Sequence, residues 1–262
     1  MRYVLAELER VAEAVGDAQS RKGHALSTIS EPGFWEREDR FEVLAEAEYL
    51  DRLQAAARTG ERLGRRLTRS LRANGTANAE LVGLVATRVY VLDRALAGIE
   101  SGAPREVFLS IRPSAQGEHE GSFTSTLTEM YAGWADRCGM QVEVLDASNG
   151  ERLLAVAGLG CGEILRQESG LHVLEHVDEE RDGSPIVERE HVVVIVAGRS
   201  RGPETNGRSA AKEARTALAS MGTPSLVVRR YRAGKSPLVR DGVRGYRTGR
   251  LESVLAGEFD LF

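Results

Sequence analysis

The chain has 262 residues, of which 42% are hydrophobic and 28% are charged, and its formal net charge is −4. That length can bury one large core or two modest ones. No segment approaches the roughly 18 consecutive apolar residues of a membrane-spanning helix, and the mixed charges of the first fifteen residues exclude a secretory signal. The two cysteines, Cys138 and Cys161, lie far apart and are typical of reduced core thiols. We therefore expect a cytoplasmic protein with no membrane contact, no metal and no cofactor.

The first hundred residues carry helical patterns. Apolar residues from Val4 to Val15 recur at helical spacing and predict one amphipathic helix. Longer patterns predict helices over residues 40–71 and 79–99, and Pro or Gly residues separate the patterns. Several long helices with short connections favour a helical hairpin or small bundle over residues 1–103.

After Pro104 the pattern changes to alternating strands and helices. The predicted strands cover residues 106–111, 141–145, 153–159, 171–177, 191–197 and 225–231. The predicted helices cover residues 122–138, 162–168, 209–221 and 251–256. Residues 104–262 are thus predicted to form an α+β domain with a mixed sheet and flanking helices.

Charge is distributed unevenly along the chain. Residues 1–100 carry 15 bases and 16 acids, residues 101–198 carry 7 and 17, and residues 199–262 carry 13 and 6. Such asymmetry is typical of a protein with one face against a polyanion, although basic segments are also common on solvated surfaces.

Three segments resemble the bacterial class I peptide chain release factors, and the release factor 2 branch most. They are Glu31-Pro32-Gly33-Phe34-Trp35, the stretch 111–146 with its Met130-Tyr131 and Trp134-Ala135 steps, and the tail with Tyr246-Arg247-Thr248-Gly249 followed by 254–262. The resemblance implies a helical first domain, a ribosome-docking α+β body, and ribosomal RNA as partner. Met130 and Trp134 share a helical face, so we predict that both are core residues.

The catalytic motif of that family is missing. Release factors hydrolyse peptidyl-tRNA with a loop that carries Gly-Gly-Gln, but this chain has no Gly-Gly dipeptide and no glutamine after Gln167. We therefore expect the catalytic domain to be deleted near residues 197–199, and no catalytic residue to remain. Where the release factor 2 branch reads stop codons with Ser-Pro-Phe, this chain has an acidic turn at 178–182, which phosphate would repel. Ser184-Pro185-Ile186 keeps two of those letters several residues late, as a remnant or by chance.

Two further predictions concern binding. Glu168, His172 and His176 recur every four residues, but the apolar residues between them indicate a strand, not a metal site. The residues predicted to contact rRNA phosphates are Arg199, Arg201, Arg208, Lys212, Arg215, Arg229, Arg230, Arg232 and Lys235. Two alternatives to a silent ribosome-binding protein stay open. One is an active hydrolase that uses an atypical loop at 198–207, and the other is an off-ribosome protein whose helical domain binds a protein partner.

Overall fold

The computed structural model describes residues 2–114, 122–179, 185–199 and 207–260. The chain forms two compact units, the first comprising residues 2–103 and the second comprising residues 104–199 and 207–260. No helix in the described ranges is both long and apolar enough to cross a membrane.

The first unit is a bundle of four helices. They are α1 (Arg2–Asp17), α2 (Gln19–Ile29), α3 (Arg40–Asn74) and α4 (Ala79–Ser101). The Asn78 side chain caps α4 by accepting from the Leu81 amide at 2.9 Å, and Gly75 ends α3 in the left-handed conformation. Fully buried residues from three helices fill the core: Val11, Leu53, Leu67, Val85 and Leu92. The predicted helical bundle is confirmed.

Helix α2 was not predicted, and its composition explains why. The segment QSRKGHALSTI has only a weak apolar stripe, and Ala25 and Thr28 are its buried residues. This helix lacks a strong apolar periodicity of its own and is stabilised by packing against α3.

The second unit is built on an eight-stranded sheet with the order β2-β3-β1-β5-β4-β6-β7-β8. Its strands are β1 (Glu106–Pro113), β2 (Gln141–Asp146), β3 (Arg152–Ala157), β4 (Gly170–Glu179), β5 (Pro185–Gly198), β6 (Val227–Ala233), β7 (Leu238–Asp241) and β8 (Arg247–Thr248). The β4–β6 pair is parallel and the other pairs are antiparallel, so the sheet is mixed. The predicted α+β fold class is confirmed.

Helices cover the two faces of this sheet unequally. On one face, α7 (Gly207–Ala219) packs Ala211, Ala214 and Leu218 on the β1, β3 and β5 side chains of Phe108, Leu153, Val193 and Ile195. On the other face lies α5 (Ser122–Cys138), together with α8 (Leu251–Ser253) and the π turn Val254–Glu258 that continues it. The short helix α6 (Cys161–Leu165) and the 3-10 turn Arg166–Glu168 connect β3 to β4.

Helix α5 and the C-terminal turn interlock through glycines. A Cβ on Gly133 would lie 2.7 Å from the Ala256 carbonyl oxygen, and one on Gly257 would lie 2.3 Å from the Trp134 amide nitrogen. The Trp134 indole donates to Asp260 at 2.8 Å, and burial raises the pKa of that carboxyl although Arg137 is also bonded to it. Met130 and Trp134 are fully buried, as predicted.

Candidate nucleic-acid interface

Arg229 does not face solvent. Its guanidinium is fully buried and donates to Glu168 at 2.9 and 3.1 Å and to Asp241 at 2.7 and 3.0 Å. Arg244 donates to the same two carboxylates, at 2.5 and 3.2 Å. We call Glu168, Arg229, Asp241 and Arg244 the buried ion network. The prediction that Arg229 contacts phosphate is wrong, because both of its nitrogen edges are occupied inside the protein.

The electrostatics of this network keep Glu168 ionised. Burial alone would raise the pKa of Glu168, but the two guanidinium groups outweigh it and hold that pKa at about 2. His172 lies beside the network, and burial lowers its pKa to about 4, so the imidazole is neutral near pH 7. Its two ring nitrogens bond the Tyr231 hydroxyl at 3.1 Å and the Glu168 carbonyl oxygen at 3.0 Å. Among the described residues no group of three or more side chains could hold a metal ion.

A different set of arginines faces outward from the same strands. Arg230 of β6 lies directly opposite Arg240 of β7, which lies directly opposite Arg247 of β8. Side chains at opposed positions point to the same face of a sheet with Cβ atoms roughly 5 Å apart. We call Arg230, Arg240 and Arg247 the arginine row. All three are exposed, and within the described ranges neither Arg240 nor Arg247 has a carboxylate at ion-pair distance.

Among the described residues, one acid lies at ion-pair distance from the row. Glu175 of β4 is 3.8 Å from Arg230 and 3.2 Å from Arg189, so two cations share one carboxylate. Arg232, two residues beyond Arg230, is half-buried, and its buried Nε has no hydrogen-bond partner in the described structure. Lys235 follows in the exposed turn between β6 and β7. This edge of the sheet is therefore strongly basic.

Helix α7 lies on the same face as the row. Leu171 packs on α7, and Val173, two residues further along β4, points to the same face and is the direct neighbour of Arg230. Lys212 and Arg215 of α7 are exposed, although Arg215 is paired with Asp146. Arg199 is less available, because Glu106 at 3.0 Å and Glu213 at 3.3 Å both bind its guanidinium.

Several predicted features lie outside the described residues. Arg201 and the loop 200–206 are among them, as are residues 180–184, which hold most of the acidic turn and the Ser of Ser184-Pro185-Ile186. Arg208 lies in the first turn of α7, and its side chain is not described. The sequence interpretation missed Arg240 and Arg247 because it placed no strand over β7 or β8. The available signal was only the short apolar step Leu238-Val239, which does not alternate with Arg240-Asp241.

Comparisons with known proteins give the family. The model of the PCRF domain matches residues 18–182. Over 79 residues the chain is 34% identical to peptide chain release factor 1 of Anaeromyxobacter dehalogenans and to that of Rubrobacter xylanophilus. Each match covers 28% of this chain and 21% or 22% of the relative, so the chain spans about a fifth of those proteins. The solved structure of RF2 of Thermus thermophilus is 19% identical, with a TM-score of 0.45 and coverage of 94% of this chain and 93% of that one. Because the PCRF model matches more than half of its residues, this chain belongs to the PCRF-domain family, whose matched relatives are peptide chain release factors.

Proposed function

We propose that the chain is a release-factor-like, ribosome-associated protein that acts in translation termination, ribosome rescue or their regulation, without hydrolysing peptidyl-tRNA itself. The arginine row is the observation that carries the ribosome contact. It supplies three exposed, aligned guanidinium groups at the basic edge of the second unit. The missing Gly-Gly dipeptide and the missing downstream glutamine support the absence of hydrolysis.

Without a bound anion, the arginine row lowers the stability of the sheet. Like charges directly opposite each other on neighbouring strands destabilise a sheet, and one shared carboxylate, Glu175, offsets little of the repulsion. Phosphates would remove that repulsion, and the planar guanidinium binds a phosphate through two parallel hydrogen bonds. Lys212, Arg215, Arg232 and Lys235 extend the proposed rRNA surface around the row. Arg229 is excluded from it because it is buried, and Arg199 contributes little because two carboxylates bind its guanidinium and its side chain is mostly buried.

Ribosome co-sedimentation over a salt series tests the contact. We expect the unmodified chain to pellet with ribosomes at low salt and to dissociate steeply as salt rises, because phosphate contacts release counterions. The triple variant R230E/R240E/R247E should bind at least about tenfold more weakly. The control R2E/R21E/R52E makes the same net charge change at exposed arginines of the first unit and should stay within about twofold. Equal effects of the two variants would refute the row as the contact.

A release assay on programmed ribosomes tests the missing hydrolysis. We expect ester cleavage at the background rate with every stop codon and with an empty decoding site. Cleavage well above background would instead favour the atypical loop at 198–207. In the co-sedimentation assay, a chain that stays in the supernatant at low salt would favour the off-ribosome alternative, in which the helical unit binds a protein partner.

A further inference from the structure

A stripe of arginines runs along the C-terminal half of α3 in the first unit. Its members are Arg58, Arg62, Arg65, Arg66, Arg69 and Arg72, and all are exposed. With 3.6 residues per turn, five of them, excluding Arg66, fall within about 80° of the helix circumference. The core-facing residues Gly60, Gly64 and Leu67 alternate with them and are buried. We call the six residues the arginine stripe.

Within the described residues this charge is only weakly neutralised: Asp51 interacts electrostatically with Arg58 but not at ion-pair distance. Between Arg58 and Arg72 the only acid is Glu61, which lies 3.9 Å from Arg65. Arg62 donates to the Thr59 hydroxyl at 3.0 Å, which leaves its charge uncompensated. In the described parts of the chain no carboxylate lies at ion-pair distance from the other stripe arginines.

Helix stability does not explain the stripe. Like charges three or four residues apart destabilise a helix, and the stripe contains six such pairs between Arg58 and Arg72. The helix dipole favours cations, but only in the last turn. That effect accounts for Arg69 and Arg72 and leaves the arginines from Arg58 to Arg66 unexplained. Arginine is a good helix former, but its intrinsic propensity does not remove the mutual repulsion, and an external anion would.

The spacing of the stripe is close to that of phosphates along a nucleic-acid duplex. From Arg58 to Arg72 the helix rises about 21 Å, so the six arginines follow one another at roughly 4 Å on average. Each strand of double-stranded DNA carries one phosphate per roughly 3.4 Å of its axis. All six cations are arginine, the side chain that pairs with phosphate in bidentate geometry.

The surroundings of the stripe favour backbone contact over base reading. Residues 58–72 contain no aromatic and no amide side chain, the groups that stack on bases or read their edges. On one side lies a groove between α3 and α1, lined by Arg65, Arg69 and Arg72 of the stripe and by three acids that would repel a phosphate strand entering it, Glu9, Glu13 and Glu61. Arg62 and Arg66 are not among the residues that line this groove. A strand would therefore lie over the exposed guanidinium groups of the stripe and outside the groove.

We propose that the arginine stripe of α3 binds the sugar–phosphate backbone of duplex RNA without reading its sequence, as a second contact separate from the arginine row. The choice of RNA over DNA rests on the proposed function, since phosphate chemistry is common to both. The stripe lies within the part of the chain that matches the PCRF domain, and the row lies outside that part.

Fluorescence anisotropy with the full chain and a labelled 20-base-pair RNA duplex tests this inference. The variant R62Q/R65Q/R69Q removes three charges from the stripe. We expect this variant to bind the duplex about tenfold more weakly at low salt. The plot of the logarithm of the association constant against the logarithm of salt concentration should become shallower by roughly 2 to 3. The variant R62K/R65K/R69K keeps the charge and should retain the slope. The control R2Q/R21Q/R52Q loses the same charge from exposed positions of the same unit and should leave affinity within about twofold.

The outcomes separate this inference from the proposed function. An unchanged affinity and slope in R62Q/R65Q/R69Q, or an equal loss in the control, would overturn the proposal that the stripe binds RNA. Tighter binding to a DNA duplex of the same length, or to polyglutamate, would overturn its assignment to RNA. If the chain fails to pellet with ribosomes while stripe-dependent RNA binding persists, the proposed function fails and the stripe stands. Thermal melting of each variant by circular dichroism verifies that the fold is retained.

Discussion

Neighbouring arginines on β6 offer a direct test of the buried ion network. Arg229 and Arg230 are adjacent in sequence, yet one is fully buried and the other has a 47% exposed side chain. We predict that R229M lowers the free energy of unfolding of the second unit strongly, whereas R230M leaves it nearly unchanged. Methionine keeps much of the aliphatic volume and removes the charge, so packing loss contributes little to the difference.

The magnitude follows from the partners left behind. Without Arg229, the carboxylates of Glu168 and Asp241 lose four hydrogen bonds and keep Arg244 as their only cation in the network. Removing one partner from a buried ion pair costs about 3–5 kcal/mol, because the other charge stays buried. That is a large share of the roughly 5–15 kcal/mol that stabilises a typical domain. For R230M, whose nearest carboxylate is 3.8 Å away at the surface, we expect a change within about 0.5 kcal/mol.

Urea denaturation followed by tryptophan fluorescence measures both effects. The chain has two tryptophans, of which Trp35 is 68% exposed in the first unit and Trp134 is fully buried in the second. In a W35F background the signal comes from Trp134 alone and reports on the second unit. A loss below about 1 kcal/mol in R229M, or similar losses in R229M and R230M, would refute the reasoning.

Three further predictions concern single residues. The pKa of His172 is about 4 in the folded chain and roughly 6.5 when unfolded, so only the unfolded state gains a proton between these values. Stability should therefore fall as pH drops from 6.5 to 4, by about 2 kcal/mol at pH 5, and a pH series of urea midpoints should show a shallower fall in H172Q. Glu168, with its pKa held at about 2, should add a further loss below pH 4.5 in the same series. G257A should destabilise the fold by about 2 kcal/mol or more, since φ is +102° and the new Cβ would lie 2.3 Å from the Trp134 backbone nitrogen. G83A, in open space on α4, should instead stabilise it by about 0.5–1 kcal/mol. Thermal melting measures both changes.

Long elements with strong periodicity were predictable from sequence. Helix α5 was predicted with its observed bounds, and the strongest predicted strand, at 191–197, is the second half of β5. Strands β7 and β8 were not predicted, because four and two residues carry too little pattern. They form because β6 presents an edge to pair with, which is a tertiary effect.

In the candidate site, too, some features were predictable from sequence and others depend on tertiary structure. Arg229 and Arg230 look alike in sequence, and only the strand register separates a buried network member from a surface residue. The arginine stripe escaped notice for a different reason. Residues 1–100 are nearly neutral in total, so the sum concealed basic residues concentrated after Arg58. Charge counted on one helix face would have revealed it.

The order in which the buried ion network is assembled has a consequence during synthesis. Glu168 is made some 60 residues before Arg229 and about 90 residues before Phe259, which packs beside both arginines of the network. At a translation rate of roughly 5–20 residues per second, Arg229 is synthesised about 3–12 seconds after Glu168, and Phe259 about 5–18 seconds after it. Burying Glu168 before a cation is present would carry a large desolvation cost. We therefore expect the nascent second unit to stay incompletely packed around this carboxylate until β6 and β7 have been made, an interval in which its unpaired strands are exposed to aggregation.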